Sequence, residues 1–193
     1  MMMIESHISP MIVAADESDA SDDDPGPSSI SLLIEHDGWM RLGSVEAMIR
    51  RAHDATVAQV PHITGRGVAI LLASDDAIAK LNAHYRGQDK PTNVLSFPAA
   101  ELGASAPPGE APPLGDIAIA YETVMREAEQ EGKPPLFHLA HLTVHGLLHL
   151  AGLDHEADAD AERMETMERE ILATIGIPDP YFIPLDEPPA VTG

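Results

Sequence analysis

The chain of 193 residues has no cysteine. Disulfides are therefore excluded, no thiolate is available to a metal, and a reducing compartment is weakly favoured. No apolar run reaches the roughly eighteen residues that a membrane-spanning helix needs, so no membrane association is expected. The first residues lack a basic start followed by an apolar stretch, so no secretory signal is expected. Basic residues are scarce: 11 Lys and Arg stand against 32 Asp and Glu, for a net charge of −21. Taken over the whole chain, that balance argues against a nucleic-acid partner, because phosphate binding usually uses a basic surface.

The charge is unevenly spread. Residues 1–40 hold nine acids and no Lys or Arg, whereas residues 41–100 hold seven bases against five acids. Residues 101–193 hold eighteen acids against four bases. The middle of the chain is mildly basic, and the acidity belongs to the two ends. With 44% hydrophobic residues, the length suits one domain with a real core.

What is present most distinctly is His145-Gly146-Leu147-Leu148-His149-Leu150-Ala151-Gly152-Leu153-Asp154-His155, three histidines at spacing H-x3-H-x5-H. Two histidines four apart share one face of a helix. Gly152 is suited to end that helix, since glycine readily adopts the left-handed conformation of a helix C-terminus. The turn can then bring His155 back as a third nitrogen ligand. Three protein ligands with a fourth position open is the pattern of a catalytic zinc site, with one Zn2+ per chain. The stretch matches the metzincin peptidase pattern H-E-x-x-H-x-x-G-x-x-H except at Gly146, where those peptidases carry their general-base glutamate. Peptide cleavage by the usual route is therefore disfavoured.

Around this motif the sequence reads as short strands interspersed with helices. Residues 1–28, with Asp22-Asp23-Asp24-Pro25-Gly26-Pro27, read as a disordered acidic extension. Strands are expected at 30–36, ending at the turn signal Asp37-Gly38, and at 67–73, 94–98 and 116–120. Residues 100–114, rich in Ala, Pro and Gly, read as a loop. Helices are expected at 44–60, 74–85 with Ser74 as N-cap and Ile78, Leu81 and Tyr85 inward, 121–132, 136–151 and 158–175. The fourth of these is apolar nearly all round, so it should be the central buried helix, and it carries the first two metal ligands. The last is acidic, with Met164, Met167, Ile171, Leu172 and Ile175 inward. The functional domain is expected to span 29–178, and the Pro-rich residues 179–193 read as a tail.

Three segments resemble the bacterial YbeY family of endoribonucleases. Leu81-Asn82-Ala83-His84-Tyr85-Arg86-Gly87-Gln88-Asp89-Lys90-Pro91-Thr92-Asn93-Val94-Leu95-Ser96-Phe97-Pro98 is similar to its first signature. Gly115-Asp116-Ile117-Ala118-Ile119 is similar to its middle motif, and the histidine stretch from His141 to His155 to its metal signature. Leu153 departs from the family, whose members often carry tyrosine there. The resemblance covers roughly residues 30–178. It implies a mixed α/β (α+β) fold, with a small sheet of about four strands packed on helices, and a single-strand-specific, metal-dependent endoribonuclease of the cytoplasm. Its expected work is rRNA processing, notably 3′-end maturation of the small-subunit RNA, and ribosome quality control. The implied partners are single-stranded rRNA, the small ribosomal subunit and ribosomal proteins. The implied metal ligands are His145, His149 and His155.

Within that chemistry, zinc would lower the pKa of a bound water or act as a Lewis acid on a phosphoryl oxygen. The charge that builds on phosphate calls for a cation opposite the metal, and a guanidinium fork suits it. Arg86 is the choice, as substrate-binding and catalytic residue; its bland alternative is a surface salt bridge with Asp89. Lys90 is a second phosphate contact, against the alternative of a solvated loop lysine. His141, one turn before His145, is read as catalytic, by donating to substrate, shuttling a proton or orienting a ligand. Packing alone would also explain it. His138 and Asp116 read as structural, Asp154 as a loop hydrogen-bonder, and Met164 and Met167 as core. Two other classes stay open: a ribosome-assembly factor whose metal is mainly structural, and a metallopeptidase lacking the usual glutamate. The groove beside the metal is expected to be neutral to basic and lined from residues 66–98.

Overall fold

The computed structural model describes residues 29–103, 106, 111–153 and 158–182. The expected acidic extension, the end of the tail, and Asp154 and His155 lie outside the described residues.

Four strands form one sheet in the order β1-β2-β4-β3. They are β1 (Ile30–Ile34), β2 (Val68–Ala73), β3 (Val94–Pro98) and β4 (Gly115–Ala120). β1 runs parallel to β2 and β2 parallel to β4, while β3 runs antiparallel on the outer side of β4. The expected small mixed sheet of four strands is the observed one. β2 is buried along most of its length, as its unbroken apolar sequence Val68-Ala69-Ile70-Leu71-Leu72-Ala73 requires. β4 divides the two sides of the sheet by simple alternation. Ile117 and Ile119 belong to the main core, whereas Ala118 and Ala120 belong to a smaller cluster with Ile78, Leu95 and Phe97.

The helices are α1 (Asp37–Arg41), α2 (Val45–Gln59), α3 (Asp75–Arg86), α4 (Tyr121–Gln130), α5 (Pro135–Leu150) and α6 (Asp158–Thr174). α1 was not expected, since Asp37-Gly38 reads as a turn. His36 caps it by accepting from the Gly38 N–H at 3.2 Å, and Trp39 anchors it, fully buried, with Nε1 donating to the Ala73 carbonyl. Five residues are too few for a helical period to show in sequence.

α5 lies over β3 and β4 and is flanked by α2, α4 and α6. Leu139, Leu142, Val144, Leu147, Leu148 and Leu150 are all buried on different sides of it, which makes it the central helix its composition predicts. α3 covers the opposite face of the sheet, starting at Ser74, whose hydroxyl accepts from the Ala77 N–H as an N-cap. Its inner face differs from expectation. Asn82 is buried there and Tyr85 is 46% exposed, because the last turn of α3 reaches only the edge strand, where no further element among the described residues covers it.

Candidate metal centre

α5 ends where its sequence says it should. Gly152 has φ +91, its N–H donates to the His149 carbonyl at 2.9 Å, and Leu153 N–H reaches back to Leu148 at 3.0 Å. These two bonds satisfy the terminal carbonyls in the Schellman arrangement and turn the chain off the helix axis. His145 and His149 sit in the last two turns before this stop, on the face turned toward α6.

The two imidazoles approach each other closely. Nε2 of His149 lies 3.1 Å from Nε2 of His145, and the ring planes are nearly perpendicular at 82°. Two nitrogens bound to one tetrahedral zinc at about 2.0–2.1 Å would lie roughly 3.3 Å apart. The pair therefore fits a shared ion. The other nitrogen of His145 is already engaged, because its Nδ1 lies 2.7 Å from Oε1 of Glu168 on α6. A carboxylate on Nδ1 fixes the proton there and leaves the Nε2 lone pair for a metal, which is how metal-binding histidines are commonly oriented.

Glu168 is the residue that sequence reasoning missed. It is fully buried, with 0% exposure, and accepts from three side chains. These are His145, His141 through Nε2 at 3.0 Å, and the Tyr181 hydroxyl. Burial opposes its negative charge, but the hydrogen bonds from His141 and His145 outweigh it and bring the carboxyl down to about 2. Tyr181 is the counterpart: burial and the bond to Glu168 push its hydroxyl well above the ordinary range, so it stays a proton donor. The guanidinium of Arg169 stacks on the Tyr181 ring at 5.3 Å, and Lys133 Nζ donates to the Pro180 carbonyl, so the chain after α6 is pinned over the site. A cavity of about 220 Å³ opens beside His145, lined by Ala161, Met164, Glu165, Glu168 and Tyr181. This lining comes from α6 and the C-terminal turn, not from residues 66–98, and it is acidic.

The other expected site residues fall in different places. His141 is brought to the centre, but through Glu168, while its Nδ1 is buried without a partner among the described residues. His138 turns to Glu127 at 2.8 Å, and Glu127 also receives Asn93 Nδ2 at 3.0 Å, so this trio ties α5 to α4 and to the start of β3. Asp116 points, by strand alternation, to the α3 side of the sheet, away from the histidine pair, and burial raises its carboxyl above the usual range. Met164 is buried core, as helical spacing predicts. Arg86 ends α3, is exposed, and donates to the Ser96 carbonyl on the outer side of β3 at 3.2 Å. It pairs with no carboxylate among the described residues, Asp89 included. Lys90 is exposed, and its backbone carbonyl is held at 2.8 Å by the amide of buried Asn82.

Gly146 has a packing role. A Cβ at this position would lie 2.9 Å from Cδ1 and 3.2 Å from Cγ1 and Cγ2 of Ile117, so the Ile117 side chain would have to give way to a larger residue here. Glycine in place of the peptidase glutamate thus suits the packing of α5 on Ile117.

Fold and site together define an α/β domain with a pair of converging histidines on its central helix, one of them held by a buried carboxylate. The family pattern described as "Endoribonuclease YbeY" matches residues 36–176, and the chain belongs to that family. The Endoribonuclease YbeY of Rhodopseudomonas palustris strain BisB18 is 51% identical over 156 residues, covering 80% of this chain and 93% of that protein. The protein of the same description from strain HaA2 is 56% identical over 155 residues, covering 78% and 80%. The one from Bradyrhizobium diazoefficiens is 51% identical over 159 residues, covering 81% and 87%. The solution structure of TM1509 from Thermotoga maritima matches with a TM-score of 0.49 at 26% identity, covering 76% of this chain and 91% of that one. Among the described residues, no helix is long and apolar enough to cross a membrane.

Proposed function

We infer that this chain is a metal-dependent endoribonuclease that cuts single-stranded RNA. We place its work in the cytoplasm, in 3′-end maturation of the small-subunit rRNA and in ribosome quality control. Its expected partners are the small subunit and ribosomal proteins. The observation that carries the reading is the convergence of His145 Nε2 and His149 Nε2 at 3.1 Å, with Glu168 on the far nitrogen of His145. Membership of the Endoribonuclease YbeY family supports RNA as the substrate. The unit responsible is taken to be residues 29–178, with Tyr181 strapped onto it.

His145 and His149 would hold the ion, zinc in the first instance, and His155 is the third ligand by its place in the motif. When bound, such an ion supplies Lewis acidity at a phosphoryl oxygen. The rest of the chemistry belongs to side chains. Glu168 holds His145 in one tautomer and compensates the charge of the centre. His141 shares Glu168 and so acts through the carboxylate that orients the ligand, as a positioning residue. Arg86 meets the negative charge that builds on the non-bridging oxygens, with guanidinium donors beyond the one engaged by Ser96. Lys90 assists as a point charge on a loop whose backbone Asn82 holds.

The test is cleavage of a single-stranded RNA by the purified chain, with and without chelator, beside casein as control. RNA cleavage that chelator abolishes and zinc restores is the expected result, with casein left intact. In the same assay Arg86→Ala should lose most cleavage at unchanged zinc content, and Arg86→Lys should fall short because lysine lacks the two-pronged geometry. Wild-type cleavage by Arg86→Ala would remove the phosphate role.

A further inference from the structure

The exposed end of α3 carries a feature that the metal centre does not use. Tyr85 is 46% exposed although its spacing from Ile78 and Leu81 would turn it inward. Its ring is propped against Phe97 of β3, with centroids 4.8 Å apart, and His84 meets it edge-on at 4.6 Å. An exposed aromatic ring braced in this way is already ordered, so a flat partner can stack on it at little conformational cost. The surroundings are basic in an acidic chain: residues 80–90 carry Lys80, Arg86 and Lys90 against Asp89 alone. None of these three cations forms an ion pair among the described residues, in a protein with 32 acids to 11 bases. Arg86, next in sequence, already reaches the outer side of the edge strand at Ser96. α3 lies on one face of the sheet and α5 on the other, with β3 as the edge between them.

We propose that Tyr85, braced by Phe97 and His84, is a stacking platform for one unpaired base of the RNA, whose phosphate lies on Arg86 as the strand crosses the β3 edge toward the histidine side. This rests on the endoribonuclease reading. Its physical basis is that base-on-aromatic stacking next to a cation holds single strands without regard to sequence. A duplex keeps its bases stacked on each other and offers none to the platform. The platform would thus contribute to preference for single strands through the base beside the phosphate that Arg86 holds.

The test measures binding and cleavage separately. A labelled single-stranded oligoribonucleotide is titrated with the full-length chain in chelator, where cutting is stopped, and again with the zinc-loaded chain and a 2′-O-methyl oligonucleotide. Tyr85→Ala should weaken single-strand binding about tenfold and leave the weaker duplex binding unchanged. Tyr85→Phe should bind as the wild type does. Tyr85→Trp should bind as well and report it by quenching, since the native Trp39 is fully buried. Replacing every base of a short oligonucleotide by an abasic residue should cost the wild type affinity and cost Tyr85→Ala less; the wild-type comparison stands even if that variant unfolds. Wild-type affinity in Tyr85→Ala, or equal wild-type affinity for the abasic strand, overturns the platform, and the patch would then belong to a protein partner. No binding by the wild type in either state also overturns it. Failure of the zinc-loaded wild type to cut RNA sinks the endoribonuclease reading instead.

Discussion

Glu168 Oε1 lies 2.7 Å from His145 Nδ1, and the pair joins α6 to α5 at the point where the two imidazoles converge. Neither residue is near the other in sequence, and the carboxylate is closed off from solvent. The candidate metal centre is therefore shaped by helix packing as much as by the histidine motif.

Glu168→Gln keeps the shape and removes the charge. It should weaken zinc binding about 10- to 100-fold, the usual cost of losing the carboxylate behind a ligating histidine. Competition against a chromophoric chelator measures it. Unchanged zinc affinity would mean that Glu168 serves only to join the helices.

The same residue sets an acid limit. Its folded carboxyl is held at about 2 against an ordinary 4.5, so its ionised form is favoured by folding. That stabilisation is complete above about pH 4.5 and is lost as pH falls from there toward 2. The thermal midpoint of the metal-free protein should fall across this window, and Glu168→Gln should show a shallower fall. Parallel curves for the two proteins would refute the assignment.

His149→Ala and His141→Ala separate holding the ion from orienting its ligand. His149→Ala should lose zinc, cleavage and the thermal stabilisation that zinc gives. His141→Ala should retain zinc and part of the activity, because Glu168 still receives His145 and Tyr181. Zinc content by mass spectrometry and the thermal midpoint with and without zinc decide it. Equal zinc loss in both would make His141 a ligand.

Much of this was legible because its signals are local. The glycine stop at Gly152, the apolar run of β2 and the sharing of one helix face by His145 and His149 are each local signals, and each was found where expected, while His155 lies outside the described residues. Glu168 was hidden among the other acids of α6. Yet it stands four residues after Met164 and three before Ile171, on the helix's apolar stripe, and a carboxylate on such a stripe is a signal in itself. Tyr85 failed the other way, since its period is correct but the sheet ends beneath it. No periodicity reports where a sheet has its edge.

Asn82→Ala should loosen the loop that follows α3. The Asn82 amide holds the Lys90 carbonyl at 2.8 Å, and the Asn82 backbone carbonyl accepts from Gln88 N–H. Loss of the side chain should cost about 1–2 kcal/mol in stability and raise KM for RNA more than it lowers kcat, at unchanged zinc content. Denaturant unfolding and steady-state kinetics check the two halves. An unchanged KM would detach this loop from the substrate.

The contact of Gly146 with Ile117 also limits the descent of this protein. One codon separates this motif from the peptidase sequence on paper, but a side chain at 146 meets the sheet before it meets any substrate. A lineage that gained the glutamate first would carry a damaged core until Ile117 shrank, and one that shrank Ile117 first would carry a cavity. Either order asks Ile117 and residue 146 to change together, so the packing of α5 on β4 and the choice of residue beside His145 are one decision and not two.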